Sequence, residues 1–97
     1  MTDLPAWYYA VVRSSMYKAW DEPSGLSASA GHLVEVSIRV QRDGRIIRRK
    51  LVRPSGVAVM DQSVMQAVES VDRLKELPSE FQDDYADITI YFELTGQ

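Results

Sequence analysis

The single histidine and a group of acidic residues near the C-terminus are the side chains most able to ligate a metal or act in catalysis. His32 has no carboxylate or serine beside it in a catalytic pattern, so we interpret it as a surface or strand-terminal histidine. A triad needs its histidine placed between a nucleophile and a carboxylate, and a histidine metal cluster needs more than one histidine. Glu80, Asp83, Asp84 and Asp87 lack the alternating spacing that surrounds calcium with oxygen ligands, which is typical of a solvated loop.

The residues that other kinds of reactive site require are also missing from the sequence. The chain has no cysteine, which excludes disulfides, thiol nucleophiles and cysteine-based zinc or iron sites. Gly44 and Gly56 do not belong to a glycine-rich run that opens a helix, so no phosphate-binding loop is indicated. We therefore predict a protein that is not an enzyme, with no catalytic residues, no metal and no cofactor.

Positive charge is concentrated in the middle of the chain. Seven of the 11 lysines and arginines lie between Arg39 and Arg53. Those from Arg42 to Arg53 could bind the phosphates of a nucleic acid, or they could protect an exposed strand from pairing with another copy. The net charge of −3 favours protection. We expect no nucleic-acid partner and keep binding through the basic strand Arg42 to Arg53 as the alternative function. The six positively charged residues of this segment are Arg42, Arg45, Arg48, Arg49, Lys50 and Arg53.

The length of 97 residues predicts one domain, residues 1–97. No apolar run approaches the ~20 residues of a membrane span, so we expect a domain that is not itself inserted in the membrane. It is either complete or cut from a longer protein.

Apolar residues at helical spacing predict two helices, residues 4–20 and 60–74. In the first, Tyr9, Val12, Met16 and Trp20 share one face, and we expect Trp20 to be part of the core. This apolar stripe is widened by Trp7, Tyr8 and Val11. In the second, Asp61 lies in the first turn, where a negative charge suits the helix dipole. The predicted apolar stripe of the second helix is Met60, Val64, Ala67, Val68, Val71 and Leu74.

Three segments predict strands: residues 33–41, 45–53 and 87–94. The first and the last alternate cleanly between apolar and polar residues, which indicates one buried and one exposed face. Asp43 and Gly44 predict a hairpin between the first two strands. The second strand does not alternate cleanly, so we expect a bulge or irregular pairing.

These elements define an α+β fold in the order α-β-β-α-β. The hairpin makes strands one and two antiparallel. The helix after strand two brings the chain back, so strand three runs parallel to strand two. The simplest arrangement is a three-stranded antiparallel sheet of order 2-1-3 with a right-handed crossover and two helices on one face. Strands two and three are then the edges.

The same segments, in this order, resemble the C-terminal domains of the TonB and TolA energy transducers, with a more TolA-like first helix and ending. The helix pattern is Tyr9-x-x-Val12-x-x-x-Met16-x-x-x-Trp20-x-x-Pro23. The hairpin pattern is Val34-x-Val36-x-Ile38-x-Val40-x-x-Asp43-Gly44-x-Ile46. The turn and helix pattern is Ser55-Gly56-x-x-x-Met60-Asp61-x-Ser63-Val64-x-x-Ala67-Val68. Arg49 stands where such domains commonly have a core-facing aliphatic residue.

The resemblance implies a non-enzymatic periplasmic domain tethered to the inner membrane, which a proton-driven motor complex energises through an N-terminal part not present here. Such a domain binds an outer-membrane transporter or another envelope protein and passes force to it, with roles in protein transport and in the cell envelope.

An exposed strand can accept an extended peptide by backbone pairing, or β-augmentation. We expect a partner peptide to bind along strand three, because its outward residues carry no positive charge and include β-forming threonine and tyrosine. The predicted partner-binding residues are Asp87, Ile88, Thr89, Ile90, Tyr91, Phe92 and Glu93.

Overall fold

The structure, a computed structural model, describes residues 4–23 and 32–94. Residues 24–31, whose small and polar side chains predict a loop, lie outside the described residues. The elements follow the predicted order and are α1 (Ala6–Ala19), β1 (Leu33–Gln41), β2 (Ile46–Arg53), α2 (Ala58–Ser70) and β3 (Tyr85–Glu93). No helix within the described ranges is long and apolar enough to cross a bilayer.

The three strands form one sheet of order β2-β1-β3, with β1 antiparallel to both neighbours, as predicted. β1 alternates along its whole length between buried residues and partly exposed ones. The buried row consists of Val34, Val36, Ile38 and Val40, and it packs in one core with the buried residues of both helices. The opposite surface of the sheet, here called the open face, is exposed.

The buried side of α1 is narrower than the predicted stripe, since Trp7 is exposed. Val12 and Met16 are fully buried and Trp20 is buried just beyond the end of the helix, as expected. Tyr8, however, is fully buried, whereas Tyr9 is 42% exposed, so the assignment of Tyr9 to the core was wrong. Tyr8 and Tyr9 are both aromatic, so the sequence allowed the helix to bury either one. Packing against the sheet buries Tyr8, which continues the row Val12, Met16 and Trp20 at spacings of four residues.

The second helix begins two residues earlier than predicted and ends at Ser70, so the predicted continuation to Leu74 was wrong. After Ser70 the chain pairs with the β-hairpin: the N–H of Ile46 donates to the carbonyl of Asp72, and the N–H of Leu74 donates to the carbonyl of Gly44. These bonds require an extended backbone. Leu74 is buried nonetheless, because the connection itself covers one end of the core.

The second strand contains two irregularities, which confirms the expectation of a bulge. Its register with β1 shifts between Glu35 and Val36 and again between Arg39 and Val40. Ile47 and Val52 are the extra residues, and both are about half exposed. An extra residue turns the following side chains to the other face, which explains why β2 lacks a clean alternation.

The connection from α2 to β3 is held by side chains from distant parts of the chain. The hydroxyl of Tyr8 donates to the carbonyl of Lys75, and burial raises the pKa of Tyr8 to about 12. Arg42 donates to the carbonyls of Pro78, Phe81 and Asp83. These bonds satisfy backbone acceptors that no regular element would satisfy.

Gly44 should not tolerate a side chain, because it fits the hairpin turn closely against the α2–β3 connection. Its φ is +93°, and a Cβ there would lie 2.1 Å from the carbonyl oxygen of Leu74. Gly56 has a similar φ of +92° but has no heavy atom within 4 Å of that position. Gly56→Ala should therefore lower the free energy of unfolding by the ~1–3 kcal/mol of its backbone strain alone. Gly44→Ala should lower it by more, because the clash with Leu74 adds to the same strain. Urea unfolding of both variants measures the difference; equal losses would contradict it.

Trp20 should contribute strongly to stability, because it closes the core at the end of α1. Its indole N–H donates to the hydroxyl of Ser63 at 2.9 Å, and its ring meets that of Phe92 edge-on at 5.3 Å. Trp20→Ala should cost ~3–5 kcal/mol of unfolding free energy. Trp7→Ala, at a site 46% exposed, should cost less than ~1 kcal/mol. Similar losses in the two variants would mean that the core is wrongly assigned.

Candidate functional site

The backbone of β3 presents unpaired hydrogen-bonding groups at its outer edge. Leu94 donates its N–H to the carbonyl of His32 at 3.3 Å, and β3 keeps the same register with β1 from Leu33 opposite Glu93 to Gln41 opposite Tyr85. In an antiparallel pair, hydrogen-bonded residues alternate with residues whose backbone groups point away. The odd-numbered residues of β3 therefore direct both N–H and C=O outward.

The side chains of β3 separate into two rows. Ile88, Ile90 and Phe92 are buried in the core, as predicted, together with Leu94 just beyond the strand. The side chains of Asp87, Thr89, Tyr91 and Glu93 lie on the open face and are exposed. Only the four odd-numbered members of the predicted site thus direct their backbone groups away from β1 and their side chains away from the core. The three even-numbered members support the strand from the core.

A groove of about 320 Å³ runs between α1 and this edge and is here called the β3 groove. One wall is formed by the side chains of Tyr9, Val12, Arg13 and Tyr17 on α1, and the other by residues 88–91 and Glu93 of β3. The exposed position of Tyr9, which the helical pattern did not predict, makes it part of this wall. An extended segment lying along β3 would have α1 beside it.

The hydroxyl of Tyr17 occupies one end of the edge. It donates to the carbonyl oxygen of Tyr91 at 2.9 Å and accepts from the backbone N–H of Glu93 at 3.1 Å. The outward groups of Asp87 and Thr89 have no backbone partner among the described residues. Along β3 the edge is therefore open up to the N–H of Tyr91 and closed beyond it.

The opposite edge of the sheet is more heavily covered. The α2–β3 connection bonds to the start of β2 through Ile46 and Asp72 and forms an isolated bridge between Arg45 and Arg73. Further along β2, Arg49 reaches α2 and donates from Nε and Nη2 to the carbonyls of Val68 and Val71 at 3.0 and 2.8 Å. These contacts cover the start of the β2 edge and hold Arg49 against α2.

The basic cluster predicted from sequence is divided by the fold. Arg42 is bound to the α2–β3 connection, and Arg49 lies on the helix side, where its charge suits the C-terminal end of α2. Arg48 and Lys50 line a shallow depression of about 210 Å³ on the open face together with Arg39 and Asp87. The six charges therefore do not form one continuous surface for phosphates.

On the open face one ion pair links β1 to β3. Arg39 donates to both carboxylate oxygens of Asp87, at 2.8 and 3.1 Å, and its guanidinium lies 4.1 Å from the ring centroid of Tyr85. The hydrogen bond from Arg39 lowers the pKa of Asp87, and the same bond raises the pKa of Arg39. Asp87 is thus held ionised at the edge strand, but its side chain remains half exposed.

The candidate metal-ligating residues are not brought together. His32 is buried, so its interpretation as a surface residue was wrong, although it does precede β1 directly. Its carbonyl accepts from Leu94, which explains its position at the end of the sheet. Within residues 4–23 and 32–94 no three histidine or acidic residues lie close enough to hold a metal ion.

Two comparisons relate the chain to known proteins. Residues 5–94 match the family model described as TonB C terminal. The solution NMR structure of TolAIII bound to a peptide derived from the N-terminus of TolB has a TM-score of 0.71 and 25% sequence identity, over 98% of this chain and 80% of that chain. No curated protein matches. The resemblance noted in the sequence is confirmed: the chain belongs to the TonB C-terminal family, and its structural similarity is to a TolA domain.

Proposed function

We propose that this domain is a non-enzymatic, periplasmic partner-binding domain that takes up an extended peptide as an added strand along β3. The observation that carries the proposal is the outward-pointing backbone of Asp87, Thr89 and Tyr91 beside the β3 groove. The TolA domain of similar structure is bound to a peptide derived from the N-terminus of TolB. That supports an envelope protein or an outer-membrane transporter as the source of the peptide here.

Backbone pairing would supply the affinity. An added strand exchanges hydrogen bonds with the outward N–H and C=O groups of alternate residues, and each such bond contributes a modest net free energy. β3 is suited to this because no lysine or arginine lies on it to repel a visiting strand. The edge of β2, in contrast, is occupied by the α2–β3 connection at its start and flanked by Arg48 and Lys50.

Side chains would supply the selectivity. Successive residues of an added strand point to opposite faces of the sheet. Those directed toward α1 would meet Tyr9 and Arg13 in the β3 groove, and those directed to the open face would lie beside Asp87 and Thr89. The groove wall thus favours an aromatic or acidic side chain on the helix side.

The family supports the wider setting of the proposal. The domain would be tethered to the inner membrane by a part of the protein that is not present here, and a proton-driven motor complex would act through that part. Pulling on the tether would load the backbone hydrogen bonds of the added strand together, because they lie along one edge. Force would pass in this way from β3 to the partner. Nucleic acid has no role in this proposal.

Thr89→Pro should weaken peptide binding, because proline removes an outward N–H from the middle of the open stretch. A peptide from the N-terminus of TolB of the same organism serves as the probe. We expect at least about a 10-fold increase in Kd for Thr89→Pro, and less than about a twofold change for Thr89→Val, which keeps the amide and favours a strand. Titration calorimetry gives both values after the fold of each variant has been verified by circular dichroism.

Amide hydrogen exchange of the unmutated domain tests the same proposal without a variant. The probe peptide should protect the amides of Asp87, Thr89 and Tyr91, since these N–H groups would become paired. Protection confined to β2 or to the helices would rule out strand addition at β3, even if the peptide binds.

A further inference from the structure

The edge of β3 is not uniform, because α1 reaches over one end of it through a single side chain. The Tyr17 hydroxyl holds the C=O of Tyr91 and the N–H of Glu93, at 2.9 and 3.1 Å. We call this pair of bonds the Tyr17 cap. An added strand would need these same two backbone groups in order to pair at this end. The Tyr17 hydroxyl therefore occupies the place that an N–H and a C=O of a neighbouring strand would take.

The cap is held by packing as well as by its hydrogen bonds. The ring of Tyr17 stacks on that of Phe92, with centroids 5.3 Å apart and planes 3° apart, and it meets Trp20 edge-on at 5.5 Å. The guanidinium of Arg13 lies over its ring at 4.9 Å from the centroid. These contacts fix the ring between α1 and β3, so the hydroxyl is placed before any partner arrives.

We infer that Tyr17 is a specificity-determining residue that ends the stretch of β3 open to a partner strand. The inference rests on the proposed strand addition and adds a limit to it: toward Glu93, pairing ends at the N–H of Tyr91. Partner segments are then selected by length and register. A segment that continues past Tyr91 must displace the phenol, and it exchanges existing hydrogen bonds for new ones instead of gaining them.

Tyr17→Phe isolates the cap from the packing. Phenylalanine keeps the ring that stacks on Phe92 and removes only the hydroxyl, which frees the C=O of Tyr91 and the N–H of Glu93. Tyr8→Phe is the matched control, because Tyr8 lies on the same helix and its hydroxyl also donates to a backbone carbonyl, that of Lys75, away from β3. Neither change alters charge at neutral pH.

Binding is measured with two probes. The first is the N-terminal TolB peptide, and the second is that peptide lengthened at both ends by alternating threonine and valine, so that it can reach Glu93 in either direction. The lengthened peptide should bind Tyr17→Phe more tightly than the unmutated domain, by roughly 2- to 10-fold for each freed hydrogen bond. Tyr8→Phe should bind it as the unmutated domain does.

The free domain provides a readout that needs no partner. Exchange of the Glu93 amide should be faster in Tyr17→Phe than in the unmutated domain or in Tyr8→Phe, because its acceptor is lost. On binding of the lengthened peptide, the same amide in Tyr17→Phe should become protected again. An unchanged exchange rate in free Tyr17→Phe would overturn the inference.

The outcomes separate the inference from the function on which it rests. If neither peptide protects the amides of Asp87 and Thr89 in the unmutated domain, strand addition at β3 fails, and the role of Tyr17 fails with it. If these amides are protected and Tyr17→Phe binds the lengthened peptide no more tightly than the unmutated domain, strand addition stands and only the role of Tyr17 is overturned.

Discussion

β1 is hydrogen-bonded along both of its edges, and the rest of the structure follows from that position. Its alternating sequence buries one row of side chains and leaves the other row facing solvent, so both helices must pack on the same side. With β1 in the centre of three strands, β2 and β3 are necessarily edges. A small sheet with two edges has to control two potential sites of strand pairing.

The two edges are controlled by different means. β2 has bulges, exposed positive charges and a chain segment bonded to its first residues. β3 has a regular register, no positive side chain and a groove beside it, and one tyrosine hydroxyl closes its far end. The two edges of the sheet therefore differ in regularity, in charge and in the groups that cover them.

Several charged residues act on the backbone rather than on a ligand. Arg49 supplies donors to the C-terminal carbonyls of α2, and Arg42 supplies donors to three carbonyls of the α2–β3 connection. Asp61 accepts from both the N–H and the hydroxyl of Ser55 before α2. A long side chain with several N–H donors can satisfy acceptors in irregular segments that a strand or helix cannot reach. Two of the six residues in the basic segment, Arg42 and Arg49, therefore hold the backbone in place, which composition alone does not reveal.

The order of elements, the central position of β1, the irregularity of β2 and the buried row of β3 could all be predicted from sequence, because periodicity and hairpin chemistry are local properties. The rotation of α1 could not, since Tyr8 and Tyr9 are equally able to fill a core and only contact with the sheet distinguishes them. The end of α2 depended on bonds to a hairpin far away in the chain. For the candidate site, the last strand was predicted, although it begins at Tyr85 and not at Asp87, and the contact of Tyr17 with its edge was not predicted. The bonds of Tyr17 join residues 74 and 76 positions apart, and such a contact exists only once α1 lies against the edge of the sheet.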